Sequence, residues 1–176
     1  EKLEKYIMLA PKLRTYEKRE VYPLTGSQKG IFAECSKNPD STVYNIPFLF
    51  ELENAIDEQK LADALTKMVN AHSYLLTKVY LNSDGEMVQS PGEDKFIPKI
   101  IKTTNSEFEA LKENLVRPFK LEKGRLFRAE IYLTEDKKYL FTDFHHIIAD
   151  GNSYDIIFED INKAYCGEKL ESETYT

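Results

Sequence analysis

Apolar positions follow two different periods along this chain. Repeats of three to four residues predict helices, and alternating or continuous short apolar runs predict strands. Helices are predicted from Thr25 to about Asn38, after Asp57, from Ser106 to Pro118 and from about Ser153. Strands are predicted at residues 43–51, 75–81, 87–89, 97–101, 126–133 and 139–146. This irregular alternation predicts an α+β fold, a mixed α/β sandwich with helices packed on a sheet.

Two of the predicted helices begin with the spacing of a capping box. Thr25 and Gln28 are three residues apart, and so are Ser106 and Glu109. In this motif the first side chain accepts a backbone N–H of the first helical turn, and the second side chain reaches back to the cap. Asp57 has the residue type of a single-residue cap for the second helix.

Composition and charge narrow the class of protein. The 176 residues include 24 basic and 30 acidic side chains, a net charge of −6, which argues against a nucleic-acid partner. The apolar runs are far shorter than the ~20 residues that span a bilayer, so no membrane association is expected. Two distant cysteines, Cys35 and Cys166, favour a reducing cytoplasmic compartment. We expect residues 1–21 to be a leader or linker and residues 22–176 to form one domain.

The candidate chemistry lies at two adjacent histidines, His145 and His146, which end a predicted strand. Successive strand residues point to opposite faces, so the two rings are poorly placed to bind one metal ion. One histidine can support the fold while the other moves a proton in a cleft. Asp150 can brace the turn that follows, and Gly151 permits a backbone geometry that a Cβ would hinder. The alternative is a histidine satisfied in the core and an aspartate that caps a helix.

Residues 145–151 resemble the HHxxxDG motif of condensation domains of nonribosomal peptide synthetases, which belong to the chloramphenicol-acetyltransferase-like acyltransferases. Three further segments are similar to motifs of the same family and come in the family's order. Residues 22–32 resemble its opening motif, residues 71–79 its RHExLRTxF motif, and residues 117–129 its PFxLxxGxLxRA segment. The resemblance covers residues 22 to 168.

The resemblance implies a chloramphenicol-acetyltransferase-like lobe, the N-terminal one of the two lobes that form a condensation domain. His146 would face the catalytic tunnel as a general base or a hydrogen-bond partner of the attacking amine. Asp150 would be structural, Gly151 would let the backbone approach the substrate thioester, and His145 would support the fold from the opposite face. Because half of the tunnel belongs to the second lobe, we expect the isolated chain to fold but to be inactive.

The implied reaction is amide formation by acyl transfer between thioesters. No bound cofactor is expected, because phosphopantetheine thioesters are delivered by donor and acceptor carrier proteins. The other implied partners are the C-terminal lobe and an adjacent adenylation domain. Two alternatives remain: a free-standing trimeric acyltransferase that uses coenzyme A, and a non-catalytic scaffolding or docking lobe. The paired histidines argue against a cyclisation domain, whereas an epimerisation domain remains open.

The chain departs from the family in its second motif. Ala71 and Leu76 stand where the family has arginines, and Ser73 replaces a glutamate. An arginine of this motif can pair with the aspartate of HHxxxDG in family members. Leu76 cannot form that pair, which leaves the partner of Asp150 open, with Lys78 and Arg128 as candidate substitutes. Asn152 also replaces the usual tryptophan.

Overall fold

A computed structural model describes residues 19–92 and 95–172 of the chain. The predicted leader, residues 1–21, lies outside the described residues except for its last three. The described part contains seven strands, which are β1 (Tyr22–Pro23), β2 (Asn45–Leu52), β3 (Lys78–Leu81), β4 (Met87–Ser90), β5 (Lys99–Lys102), β6 (Phe127–Leu133) and β7 (Lys138–His145). Its four α-helices are α1 (Gly26–Lys37), α2 (Glu58–Ala71), α3 (Asn105–Lys112) and α4 (Gly151–Cys166).

The strands form two sheets. The larger has the order β2-β7-β6-β5, in which β5 runs parallel to β6 and the other neighbours are antiparallel. The smaller has the order β1-β4-β3 and is antiparallel throughout. The predicted fold class, helices packed on a mixed sheet, is therefore confirmed.

The core lies on both faces of the larger sheet. Helices α2 and α4 pack on one face, where the side chains of Leu65, Met68, Ile157 and Phe144 are fully buried. Helix α3 packs on the other face through Phe108. Burying a large apolar side chain contributes about 1.5–3 kcal/mol, so these contacts fix how the helices sit on the sheet.

A third apolar cluster joins α1, the smaller sheet and the chain that follows β7. Phe32 of α1, Val79 of β3, Phe119, Leu126 and Ile147 are all buried in it. Ile147 belongs to the segment predicted to carry the chemistry. The position of that segment therefore depends on α1 as well as on the larger sheet.

Several predicted element boundaries are wrong. Helix α3 is capped by Thr104 and Glu107, not by Ser106 and Glu109, and it ends at Lys112, well before Pro118. The first two residues of the predicted strand 75–81 belong to a 3-10 turn, Ser73–Leu76, and β3 begins at Lys78, because a short apolar run does not distinguish a strand from a buried turn. Strand β7 ends at His145, one residue earlier than predicted.

Candidate functional site

The two adjacent histidines lie where β7 gives way to a turn. His145 is the last residue of the strand and pairs with Asn45 of β2, whereas His146 begins the turn. The backbone N–H of His146 still donates to the carbonyl of Tyr44 at 2.8 Å. His145 is 3% exposed, and His146 is an exposed residue. The structure thus places one ring inside the fold and the other on its surface.

The ring of His145 is neutral and has a defined tautomer. Its Nδ1 accepts the backbone N–H of Ile147 at 3.2 Å, so the ring hydrogen is on Nε2, which faces the Cys35 sulfur at 3.6 Å. Burial, with a smaller contribution from the neighbouring His146, lowers the pKa of His145 to about 4. The edge of the ring also meets Phe119, with ring centroids 5.8 Å apart. These contacts suit a supporting residue.

The turn after His146 is held by several hydrogen bonds. The N–H of Ile148 donates to the carbonyl of His145 at 3.1 Å. The carbonyl of Ile147 accepts the side-chain amide of Gln28, which lies in α1, at 3.0 Å. The sequence predicted Gln28 as part of a helix cap but did not indicate this second contact, since the two residues are 119 positions apart.

Asp150 is the N-cap of helix α4. Its carboxylate accepts the Ser153 hydroxyl at 2.8 Å and the Ser153 backbone N–H at 3.2 Å, and the Ser153 hydroxyl accepts the N–H of Asp150 at 3.3 Å. This reciprocal cap fixes where the turn ends and the helix begins. The helix-cap alternative for Asp150 is therefore confirmed, and it is compatible with bracing the turn.

Arg128, one of two candidate substitutes for the arginine that pairs with Asp150 in family members, lies beside Asp143. Its Nε is 3.7 Å from the Asp143 carboxylate, and its guanidinium carbon lies 3.9 Å from the centre of the Phe119 ring. Strands β6 and β7 place Arg128 directly opposite Asp143, and the pairing of Asp150 with Lys78 or Arg128 stays a prediction.

Gly151 is the first residue of α4 and is exposed. It does not adopt a positive φ, and a Cβ built on it meets no described heavy atom within 4 Å. The prediction that a Cβ would hinder the backbone here is therefore wrong. Nothing in the fold of the described residues requires a glycine at this position.

Other features of the described residues add little to the site. In the ranges 19–92 and 95–172, no cluster of three or more His, Cys, Asp or Glu side chains has the geometry of a metal site. None of the described helices is long and apolar enough to cross a membrane. A cavity of about 310 Å³ lies beside His145, the buried one of the two histidines. Its lining also includes Cys35, Phe32 and Phe119.

Several known proteins resemble this chain. Residues 18–176 match the family described as Condensation domain. One of the plipastatin synthase proteins of Bacillus subtilis (strain 168) is 36% identical over 156 residues, which cover 88% of this chain and 6% of that protein. A mutant of the starter condensation domain of rhizomide synthetase RzmA superposes with a TM-score of 0.76 at 22% identity, covering 88% of this chain and 40% of that one.

A further solved structure is that of the X-domain in complex with OxyB from teicoplanin biosynthesis. Its TM-score is 0.77 at 22% identity, and the match covers 93% of this chain and 37% of that one. The predicted chloramphenicol-acetyltransferase-like fold agrees with these structural neighbours. The chain thus spans less than half of each solved structure and a small fraction of the synthase. The match over residues 18–176 shows that the chain belongs to the condensation-domain family.

Proposed function

We propose that residues 22–176 are the N-terminal lobe of a condensation domain of a nonribosomal peptide synthetase, and that this domain forms amide bonds between carrier-bound thioesters. The observation that carries the proposal is the exposed imidazole of His146 on a turn held by hydrogen bonds, next to a buried and neutral His145. The match to a plipastatin synthase supports the class of enzyme.

The proposed step is attack of an acceptor amine on a donor thioester. The amine nitrogen forms a bond to the carbonyl carbon, the carbon–sulfur bond breaks, and the sulfur leaves as the thiol of the donor arm. An α-amino group has a pKa of about 7.7–8.0, so part of it is protonated at neutral pH. The imidazole of His146 is suited to accept that proton or to orient the free amine.

The other site residues have supporting roles in this proposal. Asp150 fixes the end of the turn through its cap with Ser153. His145 holds the turn from inside the fold through its bond to Ile147. Gly151 has open space around it, which suits close approach of a substrate thioester to the backbone.

The partners of the lobe follow from the same proposal. The C-terminal lobe would complete the crevice, donor and acceptor carrier proteins would bring substrates on phosphopantetheine arms, and an adenylation domain would lie next to the domain. Bringing two tethered substrates together supplies much of the rate enhancement. Because a single lobe has only one wall of the crevice, the isolated chain folds but is inactive. Its location in the cytoplasm stays a prediction from the sequence.

A non-catalytic docking role is the second candidate. One observation favours it: the X-domain, which has a similar fold, was solved in complex with another protein, OxyB. Leu76 replaces an arginine of the family's RHExLRTxF motif and is buried in the core. Loss of that arginine agrees with a lobe that no longer catalyses the family's reaction. In this case His146 would have no part in a reaction.

The test uses the full-length protein with both carrier proteins loaded. We expect amide product and free donor thiol to appear in equal amounts, measured by mass spectrometry and thiol titration. Blocking the acceptor amine by acetylation is the matched control and should abolish both. Thiol release without amide would contradict amide formation. No amide and no thiol above the uncatalysed background, with any pair of substrates that the carriers accept, would instead favour the docking role.

A further inference from the structure

Gln28 connects a helix cap to the turn that carries His146. Its Oε1 accepts the backbone N–H of Thr25 at 3.0 Å and the Thr25 hydroxyl at 3.2 Å. Its Nε2 donates to the carbonyl of Ile147 at 3.0 Å. A second glutamine, Gln89 of β4, donates to the same Oε1 at 3.4 Å. One side chain therefore joins α1 and the smaller sheet to the end of β7.

The neighbours of Gln28 fix which way its amide points. The N–H of Thr25 can only donate, so it requires the amide oxygen. The carbonyl of Ile147 can only accept, so it requires the amide nitrogen. Rotating the amide by half a turn would break both contacts at once, and the observed orientation satisfies both.

Three consecutive peptide groups, from the one that precedes His146 to the one that follows Ile147, are each held by a hydrogen bond. The N–H of His146 is bound by Tyr44, the N–H of Ile147 by the ring of His145, and the carbonyl of Ile147 by Gln28. The imidazole of His146 is itself exposed, so the backbone must supply much of its orientation. Of these three partners, Gln28 is the one that lies in a helix, α1, whereas Tyr44 directly precedes β2 and His145 ends β7.

We propose that Gln28 is a positioning residue for His146, an inference that rests on the proposed function. Its Nε2 holds the Ile147 carbonyl and with it the direction in which the His146 ring leaves the backbone. A misplacement of about 1 Å can cost on the order of 100-fold in rate. Gln28 acts on the backbone and is not proposed to touch substrate, so loss of this hydrogen bond should lower kcat much more than it changes KM.

Two variants separate the cap from the turn. Gln28→Glu keeps acceptor oxygens for Thr25, and a carboxylate in the first turn of a helix is favourable, so α1 is preserved. The same change replaces the donor to Ile147 with an oxygen that repels its carbonyl. Thr25→Ala does the opposite. It removes the cap hydroxyl and keeps the hydrogen bond from the Gln28 side chain to the carbonyl of Ile147.

The experiment measures kcat, KM and Tm of both variants in the full-length protein with loaded carriers. We expect Gln28→Glu to lower kcat by roughly 10- to 100-fold with KM and Tm near those of the wild type. Thr25→Ala should lower Tm and keep kcat within about twofold. Gln28→Met, which has neither a hydrogen-bond donor nor a charge, is the second variant if Gln28→Glu lowers Tm. Its kcat is then compared with that of Thr25→Ala under conditions where the two variants are equally stable.

The outcomes distinguish this inference from the proposed function. Wild-type kcat in Gln28→Glu, or equal kcat in Gln28→Met and Thr25→Ala, overturns the positioning role. His146→Ala, assayed alongside, tests the function itself. If His146→Ala loses product while Gln28→Glu does not, only the positioning role fails. If His146→Ala keeps product, the proposed function fails and the role of Gln28 fails with it.

Discussion

The carboxylate of Asp143 on β7 accepts a hydrogen bond from the side-chain amide of Asn45 on β2 at 2.7 Å. Asp143 is completely buried, and its other oxygen has no hydrogen-bond partner among the described residues. Burial raises the pKa of Asp143 to about 6, although Asn45 and Arg128 both favour the ionised form. This carboxylate lies two residues before the buried His145, whose pKa is shifted in the opposite direction.

The two shifts predict opposing effects of pH on stability. The folded pKa of Asp143 is raised, so its contribution is present below about pH 4 and is lost as pH rises through about 6. The folded pKa of His145 is lowered, so its contribution is present above about pH 6.5 and is lost as pH falls through about 4. In the wild type these two contributions to the free energy of unfolding therefore partly offset each other between about pH 4 and about pH 6.

Asp143→Asn should therefore make acid destabilisation steeper. This variant removes the titration of residue 143 and leaves that of His145, so the free energy of unfolding should fall faster between about pH 6.5 and about pH 4.5. Urea unfolding at several pH values measures the slope. A slope equal to that of the wild type would show that Asp143 has an ordinary pKa.

Gly124→Ala should destabilise the fold, whereas Gly151→Ala should not. Gly124 has φ 71° and ψ −162°, a region that other residues rarely adopt, and a Cβ there would lie 2.7 Å from Cγ of Lys78. Such strain costs about 1–3 kcal/mol. Gly151 is the matched control because it has open space around it.

Thermal unfolding of the two alanine variants decides the matter. Equal Tm values would contradict the assignment of strain to Gly124. A rate loss in Gly151→Ala at wild-type stability would support the proposed approach of substrate to the backbone at that residue.

Asp150→Ala should lower stability by about 1 kcal/mol, because it removes the N-cap of α4. Asp150→Asn should lose much less, since asparagine is an equally good cap. Chemical denaturation compares the two. A large loss in both variants would mean that the cap with Ser153 is not what Asp150 contributes to stability.

Local patterns predicted the elements better than the contacts between them. The cap at Thr25 and the cap at Asp57 are confirmed, and each depends on residues within three positions. The Ser106 cap is wrong because Thr104 and Glu107 have the same spacing two residues earlier, and the sequence does not rank the two pairs.

In the candidate site, too, the local features could be predicted from the sequence and the long-range contacts could not. Alternation along the predicted strand 139–146 gave His145 and His146 different surroundings, and the structure buries the first and exposes the second although β7 ends before His146. The bond from Gln28 to Ile147 and the pair of Arg128 with Asp143 depend on how distant segments pack. Neither periodicity nor motif spacing contains that information.

The proposed function requires that the imidazole of His146 takes part in amide formation. Its most direct test is the single-turnover rate in the full-length protein for His146→Ala, with Lys102→Ala as control at the opposite end of the sheet. We expect a loss of roughly 100- to 10,000-fold for His146→Ala and no change for the control. A rate for His146→Ala within about twofold of the wild type would contradict it.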